Sequence, residues 1–269
     1  MSTNVIFQPV DERGWRRGLR NLLRGEFSVW FRSRKWWIHS LMWLLTINLI
    51  LFFTTLDPEA GAPATGGIPH TIELYGIFGG MFVMMGVLVI LQGAIVGEKK
   101  SGTAAWILSK PVSRTAFVIA KAAGNSLGVL VTAVLVPGVV AYLQFGLMTD
   151  LGWRSPLDFL LGVVALALHA LVWITFTIML GSFFDSWGPV IGIPLALAFG
   201  QQLIVGLLPP LGYVFPWALA APIGDDKPAL AASFFNGSVP FSWIPLVAAV
   251  LLSGLFTGIA VWRFNRQEF

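Results

Sequence analysis

The chain has 269 residues, 56% apolar and only 11% charged, with a mean hydropathy of +0.78; soluble domains carry about a quarter charged residues, so an ordinary water-soluble protein is excluded and an integral membrane protein is indicated. It has no cysteine, which excludes disulfides, thiolate metal centres and a cysteine nucleophile. The net charge of +4 reads as membrane topology rather than nucleic-acid binding, because the basic residues flank apolar spans.

From Arg13 onward, Trp15, Leu19, Leu22, Leu23, Phe27, Trp30 and Phe31 recur at three- and four-residue steps, with arginines on the other face. This periodicity predicts an amphipathic helix over 13–37, lying in the interface against membrane lipids. The first apolar run starts only near Trp36, behind that arginine-rich lead, so no cleaved leader is expected. A membrane-crossing helix needs roughly 20 apolar residues, and six segments qualify: 36–56, 75–97, 116–147, 157–184, 188–208 and 243–264, the fifth interrupted by Pro189 and Pro194. The expected fold is an all-α membrane protein, with residues 1–37 as lead and interfacial helix and 38–269 as a single six-helix transmembrane domain. Fifteen of the 17 Lys and Arg fall on one side of this layout, and only Arg154 and Lys227 on the other. The positive-inside rule then places both termini in the cytoplasm of a multi-pass protein of the cell's inner (plasma) membrane.

Glycine pairs four residues apart recur at Gly76/Gly80, Gly93/Gly97, Gly124/Gly128, Gly188/Gly192 and Gly254/Gly258. Such spacing lets helix backbones approach closely, within one chain or between subunits. Lys121 is expected to snorkel to the inner interface. The stretch 209–242 lies outside yet carries Tyr213, Phe215, Trp217, Phe234 and Phe235, so it is expected to dip back as re-entrant helices before the last span. Asn236-Gly237-Ser238 reads as a turn. His70 is a lone loop histidine without a second His or Cys at ligand spacing, and no metal site is expected.

Inside the spans, His169 lies near the midpoint of the fourth. An ionisable residue at that depth is either a substrate or proton site or a neutral imidazole bonded to a neighbouring helix, such as Thr175 or Thr177 of a partner subunit. Gln92, Gln201, Gln202 and Asn48 are the other candidates for a pathway lining, with interhelical hydrogen bonding as the alternative.

The longest polar break between spans is 98–117, EKKSGTAAWILSKPVSRTAF. Glu98, Lys99 and Lys100 would each cost about 2.5–3.5 kcal/mol at mid-bilayer, so the second span has ended there. Gly102 loosens the chain, Ser101 or Thr103 can cap a new helix over 104–109, and Pro111 stops it. The result is a two-turn helix exposing Trp106, Ile107 and Leu108, which either lie on the membrane surface or fill a groove in a partner.

Glu98, Ser101, Gly102 and Thr103, followed by Leu108, Ser109, Lys110, Pro111, Val112, Ser113 and Arg114, resemble the E-x-x-S-G-T…L-L-S-x-P-V-S-R signature of ABC-2 type permeases, the membrane subunits of one class of ABC transporter. The six-span plan, basic lead and long final outer loop resemble that family over essentially the whole chain; Ala104-Ala105-Trp106 departs from its usual bulkier, more acidic run. The resemblance implies that Glu98, Ser101, Gly102, Thr103, Trp106, Ile107, Leu108, Pro111 and Arg114 form a coupling helix and its hinges, docking on two copies of a separate ATPase. That ATPase would hold the ATP and Mg, with no cofactor on this chain, and the permease would pair with itself or a similar chain to export a hydrophobic or amphipathic drug, lipid or peptide.

No G-x-x-x-x-G-K-[ST] or H-E-x-x-H sequence is present, so this chain is not expected to be an enzyme, and ATP chemistry must be supplied in trans. A secondary transporter would need charged coupling residues within the membrane. An immunity-type or structural membrane protein that binds a peptide without pumping it is the other alternative.

Overall fold

The computed structural model describes residues 12–267, apart from 58, 60 and 225 and the side chain of Gln202. Among the described residues it is entirely helical, without a β-strand. Five of the described helices are long and apolar enough to cross a membrane, the build of a multi-pass membrane protein: α2 (Lys35–Thr55), α3 (His70–Lys100), α5 (Arg114–Met148), α6 (Pro156–Phe183) and α9 (Ile244–Asn265). Around them lie α1 (Leu19–Phe31), the short α4 (Thr103–Leu108), α7 (Trp187–Leu207) and the short α8 (Leu230–Phe235). The segment expected as the fifth span is α7, a continuous helix through Pro194. Its described apolar stretch, Trp187–Gln201, is shorter than a span.

The interfacial helix is shorter than expected. Its α-helical part ends at Phe31 because Ser33 turns the chain: the hydroxyl donates to the Val29 carbonyl (2.6 Å) and accepts from the Lys35 amide (3.1 Å). Trp36 and Trp37 therefore open α2 instead of closing the lead.

The most enclosed span is α6, two-thirds buried, with α3, α5, α7, α8 and α9 packed around it. By contrast α2 and α9 are 28% and 22% buried and form the periphery. Midway along α2 and α5 the helices widen into π-type turns, Leu44–Asn48 and Leu130–Leu135, the second just ahead of Pro137, which has no amide to donate. Here Asn48 Nδ2 donates to the Pro137 carbonyl (3.0 Å) and to Gln144 Oε1 (2.9 Å), and Gln144 donates back to the Asn48 carbonyl (2.9 Å). Asn48, expected among the pathway candidates, thus joins two helices.

After α7 the chain folds back between the helices through two 3-10 turns, Pro209–Tyr213 and Pro216–Leu219, and then α8. Glycine makes room for it: a Cβ on Gly80 would overlap Ala220 Cβ, and one on Gly162 would overlap the Phe235 ring. Phe235 is fully buried among Tyr75, Phe145 and Phe159, worth about 1.5–3 kcal/mol of burial. Helix α8 ends at Gly237 (φ +73°), with the Gly237 amide on Phe234 O (2.8 Å) and the Ser238 amide on Ser233 O (2.9 Å), a Schellman cap. Asn236-Gly237-Ser238 is therefore a helix-ending turn.

Candidate functional site

The segment 98–117 lies where four helix ends meet. Gly102 takes a left-handed conformation (φ +73°) that favours glycine, and α4 begins immediately after it. Ser101 does not cap α4 as an N-cap residue would. Its hydroxyl lies 2.8 Å from that of Thr103 and accepts weakly from the Thr103 amide (3.4 Å). At helical spacing Ala104, Ile107 and Leu108 share one face, and that face packs inward: Ala104 is fully buried, and Ile107 and Leu108 are half-buried against the core. The expected exposure of all three large residues is thus corrected to Trp106 alone. Trp106 is 64% exposed, with Lys110 Nζ 5.2 Å above its ring. Pro111 is exposed beyond the end of α4.

Each flank of α4 is tied down. On the first, Lys99 pairs with Asp185 (2.6 Å) and donates to the Phe184 carbonyl (3.0 Å) at the C-terminus of α6, where the helix dipole favours a cation. Glu98 accepts from Lys121 of α5, which also pairs with Glu26 of α1 at 2.6 Å. Lys121 is therefore held among carboxylates with its side chain 11% exposed, and does not snorkel out as expected. Beside this triad, Trp30 Nε1 donates to Asn125 Oδ1 (3.2 Å). The pair Gly124/Gly128 forms the seat of α1, since a Cβ at 124 would overlap the Glu26 side chain and one at 128 the Trp30 ring. Burial pushes the Glu26 carboxyl above its ordinary value, against the opposing pull of Lys121.

On the second flank, Val112 covers Gly18, Ser113 donates to the Trp15 carbonyl and caps α5 by accepting from the Ala116 amide (2.9 Å), and the Ser113 amide donates to Arg17 O (2.9 Å). Arg114 donates to the Asn265 carbonyl (2.8 Å) at the C-terminus of α9, and Phe117 stacks on Phe264 with centroids 5.1 Å apart. Glu26 is the junction residue that sequence reasoning missed. Its one signal is that it is the only acidic residue of the expected amphipathic helix, 13–37.

The pathway candidates do not form one lining. Gln92 donates to Val89 O of its own helix (3.0 Å), Asn48 joins α2 to α5, and the Gln202 side chain lies outside the described residues. His169 is fully buried, and its Nδ1 meets the Pro216 carbonyl at 2.8 Å. Its partner is the folded-back segment of the same chain, whereas Thr175 and Thr177 donate to carbonyls of their own helix. Of these candidates, His169 and Gln201 converge: the His169 ring lies 5.9 Å from that of Trp217, which lines a small cavity with Gln201.

A search of curated proteins finds no match to the chain. A family model, described as Protein of unknown function (DUF2705), matches residues 43–269, taking in every helix from α3 onward, most of α2 and the whole of the braced segment. Matched over most of its length, the chain belongs to the DUF2705 family.

Proposed function

We propose that the chain is the membrane-spanning subunit of an ATP-driven exporter, and that α4 is the helix through which a separate ATPase, binding ATP and magnesium, moves the bundle. The bracing of α4 carries this reading. A six-residue helix, hinged at Gly102 and stopped by Pro111, is tied on one flank to α1, α5 and α6 and on the other to the turn preceding α1 and to the end of α9, while Trp106 points away from the protein. A push on Trp106 therefore reaches several helix ends together. A helix that merely lay on the membrane surface would not need anchors on both sides.

With α7 counted as a sixth crossing, α4 and both termini share the basic side, the cytoplasm of the plasma membrane by the positive-inside rule. Residues 216–221 and 229–235 then enter the bilayer from outside, and their backbone is tolerated there because it is buried against α3 and α6. The pathway would lie between two copies, or between this chain and a similar one. A Cβ added at Gly188 or Gly192 on α7, or at Gly254 or Gly258 on α9, would meet no described atom within 4 Å, which leaves small-residue faces open to a second copy. Neutral polar groups inside the bundle favour a hydrophobic or amphipathic cargo such as a drug, lipid or peptide.

The test is whether a Walker-A ATPase, sought in an adjacent reading frame, co-purifies with this chain and supports transport. Trp106→Asp is expected to weaken ATPase association at least tenfold while leaving membrane insertion and thermal stability intact, because Trp106 supports little of the protein's own packing. Unchanged association and transport in that variant would refute the reading.

A further inference from the structure

Under the folded-back segment lie two adjoining cavities that share Phe215 in their walls. The larger, about 150 Å³, is bounded by apolar side chains of α6, α7 and α9, among them Phe176, Leu197, Leu252 and Phe256, and by Pro216. The volume of this partly enclosed, apolar-walled cavity suits a benzene-sized group. The smaller, about 30 Å³, is lined by Gln201, Trp217, Ala218 and the turn at Pro222–Gly224.

Gln201 is 2% exposed, and neither its amide nitrogen nor its amide oxygen has a hydrogen-bond partner among the described residues. Trp173, on the wall of the larger cavity and 1% exposed, likewise has an indole N–H without a partner among them. Each unsatisfied buried group destabilises by about 1–3 kcal/mol, and such a group in a native protein points to a partner that completes it. The Gln201 amide offers a donor and an acceptor side by side, the complement of another amide, whereas the walls of the larger cavity are wholly apolar.

We propose that these cavities form one binding site for a small amphipathic molecule that carries an amide and a single benzene-sized apolar group, the chemistry of a capped hydrophobic amino acid or very short apolar peptide. The apolar group fills the larger cavity and the amide pairs with Gln201. Binding itself does not depend on the transport reading; whether the ligand is cargo rests on it.

N-acetyl-phenylalaninamide, titrated into the full chain in nanodiscs without any ATPase and followed by tryptophan fluorescence and saturation-transfer NMR, tests the site. Saturable binding is expected, at least tenfold weaker in Gln201→Leu, with propylbenzene binding unchanged in that variant. Leu197→Phe, which narrows the larger cavity, is expected to weaken both probes. Overturning results are binding of equal strength in Gln201→Leu, no saturable binding to the wild type, or native mass spectra showing a phospholipid that the probe does not displace. Such results leave the ATPase-association test untouched, and failure of that test leaves this site standing.

Discussion

Lys121 neutralises Glu26 and Glu98 together, so removing its charge leaves two largely buried carboxylates facing one another. Breaking a buried pair from one side destabilises by about 3–5 kcal/mol, and with side chains still 11–22% exposed the lower end applies. Lys121→Met is expected to lower stability by about 3 kcal/mol, seen as earlier thermal unfolding in detergent; a variant as stable as wild type would show that the triad holds nothing. Glu26 adds a pH dependence. Its carboxyl is raised by burial above 4.5, so the folded state takes up a proton at higher pH than the unfolded chain does. Its contribution is complete below 4.5 and is lost as pH rises through the raised value. Amide protection across α1, corrected for intrinsic exchange, should thus increase on acidification from neutral pH toward 4.5, and Glu26→Gln should flatten the trend. Protection that falls on acidification in the wild type would contradict it. At His169 the ring satisfies a buried carbonyl of the folded-back segment. His169→Phe should therefore lower abundance and stability by about 1–3 kcal/mol, where a proton-relay role alone would leave stability unchanged and abolish activity.

At the scale of elements, α1 is a docked brace. Gly128→Val would drive a methyl into the face of Trp30; overpacking of this kind costs about 1–3 kcal/mol, and here it is relieved by α1 lifting off. Trypsin should then cut at Arg20 and Arg24 in the variant and leave them intact in the wild type; equal protection in both would count against the dock. The local features of these elements were legible in the sequence. Three- and four-residue spacing marked α1, apolar length marked α2, α3, α5, α6 and α9, and Gly102 with Pro111 marked a short helix between hinges. Pairings between distant stretches were not. Nothing near Lys121 announces Glu26, nothing near His169 announces the Pro216 carbonyl, and the inward turn of Ile107 and Leu108 depends on a surface built by other helices. The end of α1 was misjudged because its apolar period runs unbroken into Trp36 and Trp37, while the stop signal is the single hydroxyl of Ser33.

For the whole molecule, the bundle is centred on α6, with one end gathered around α4 and the other filled by the folded-back segment. On the proposed reading, a partner ATPase grips this chain at Trp106. The most direct measurement replaces Trp106 with a photo-crosslinking phenylalanine analogue in native membranes and identifies the ultraviolet-dependent adduct by mass spectrometry. The expected result is an adduct with a protein that contains a Walker-A sequence, absent when the same probe is placed at Val89 on the exposed face of α3. Adducts with lipid alone, or with no protein of that kind, would contradict the claim.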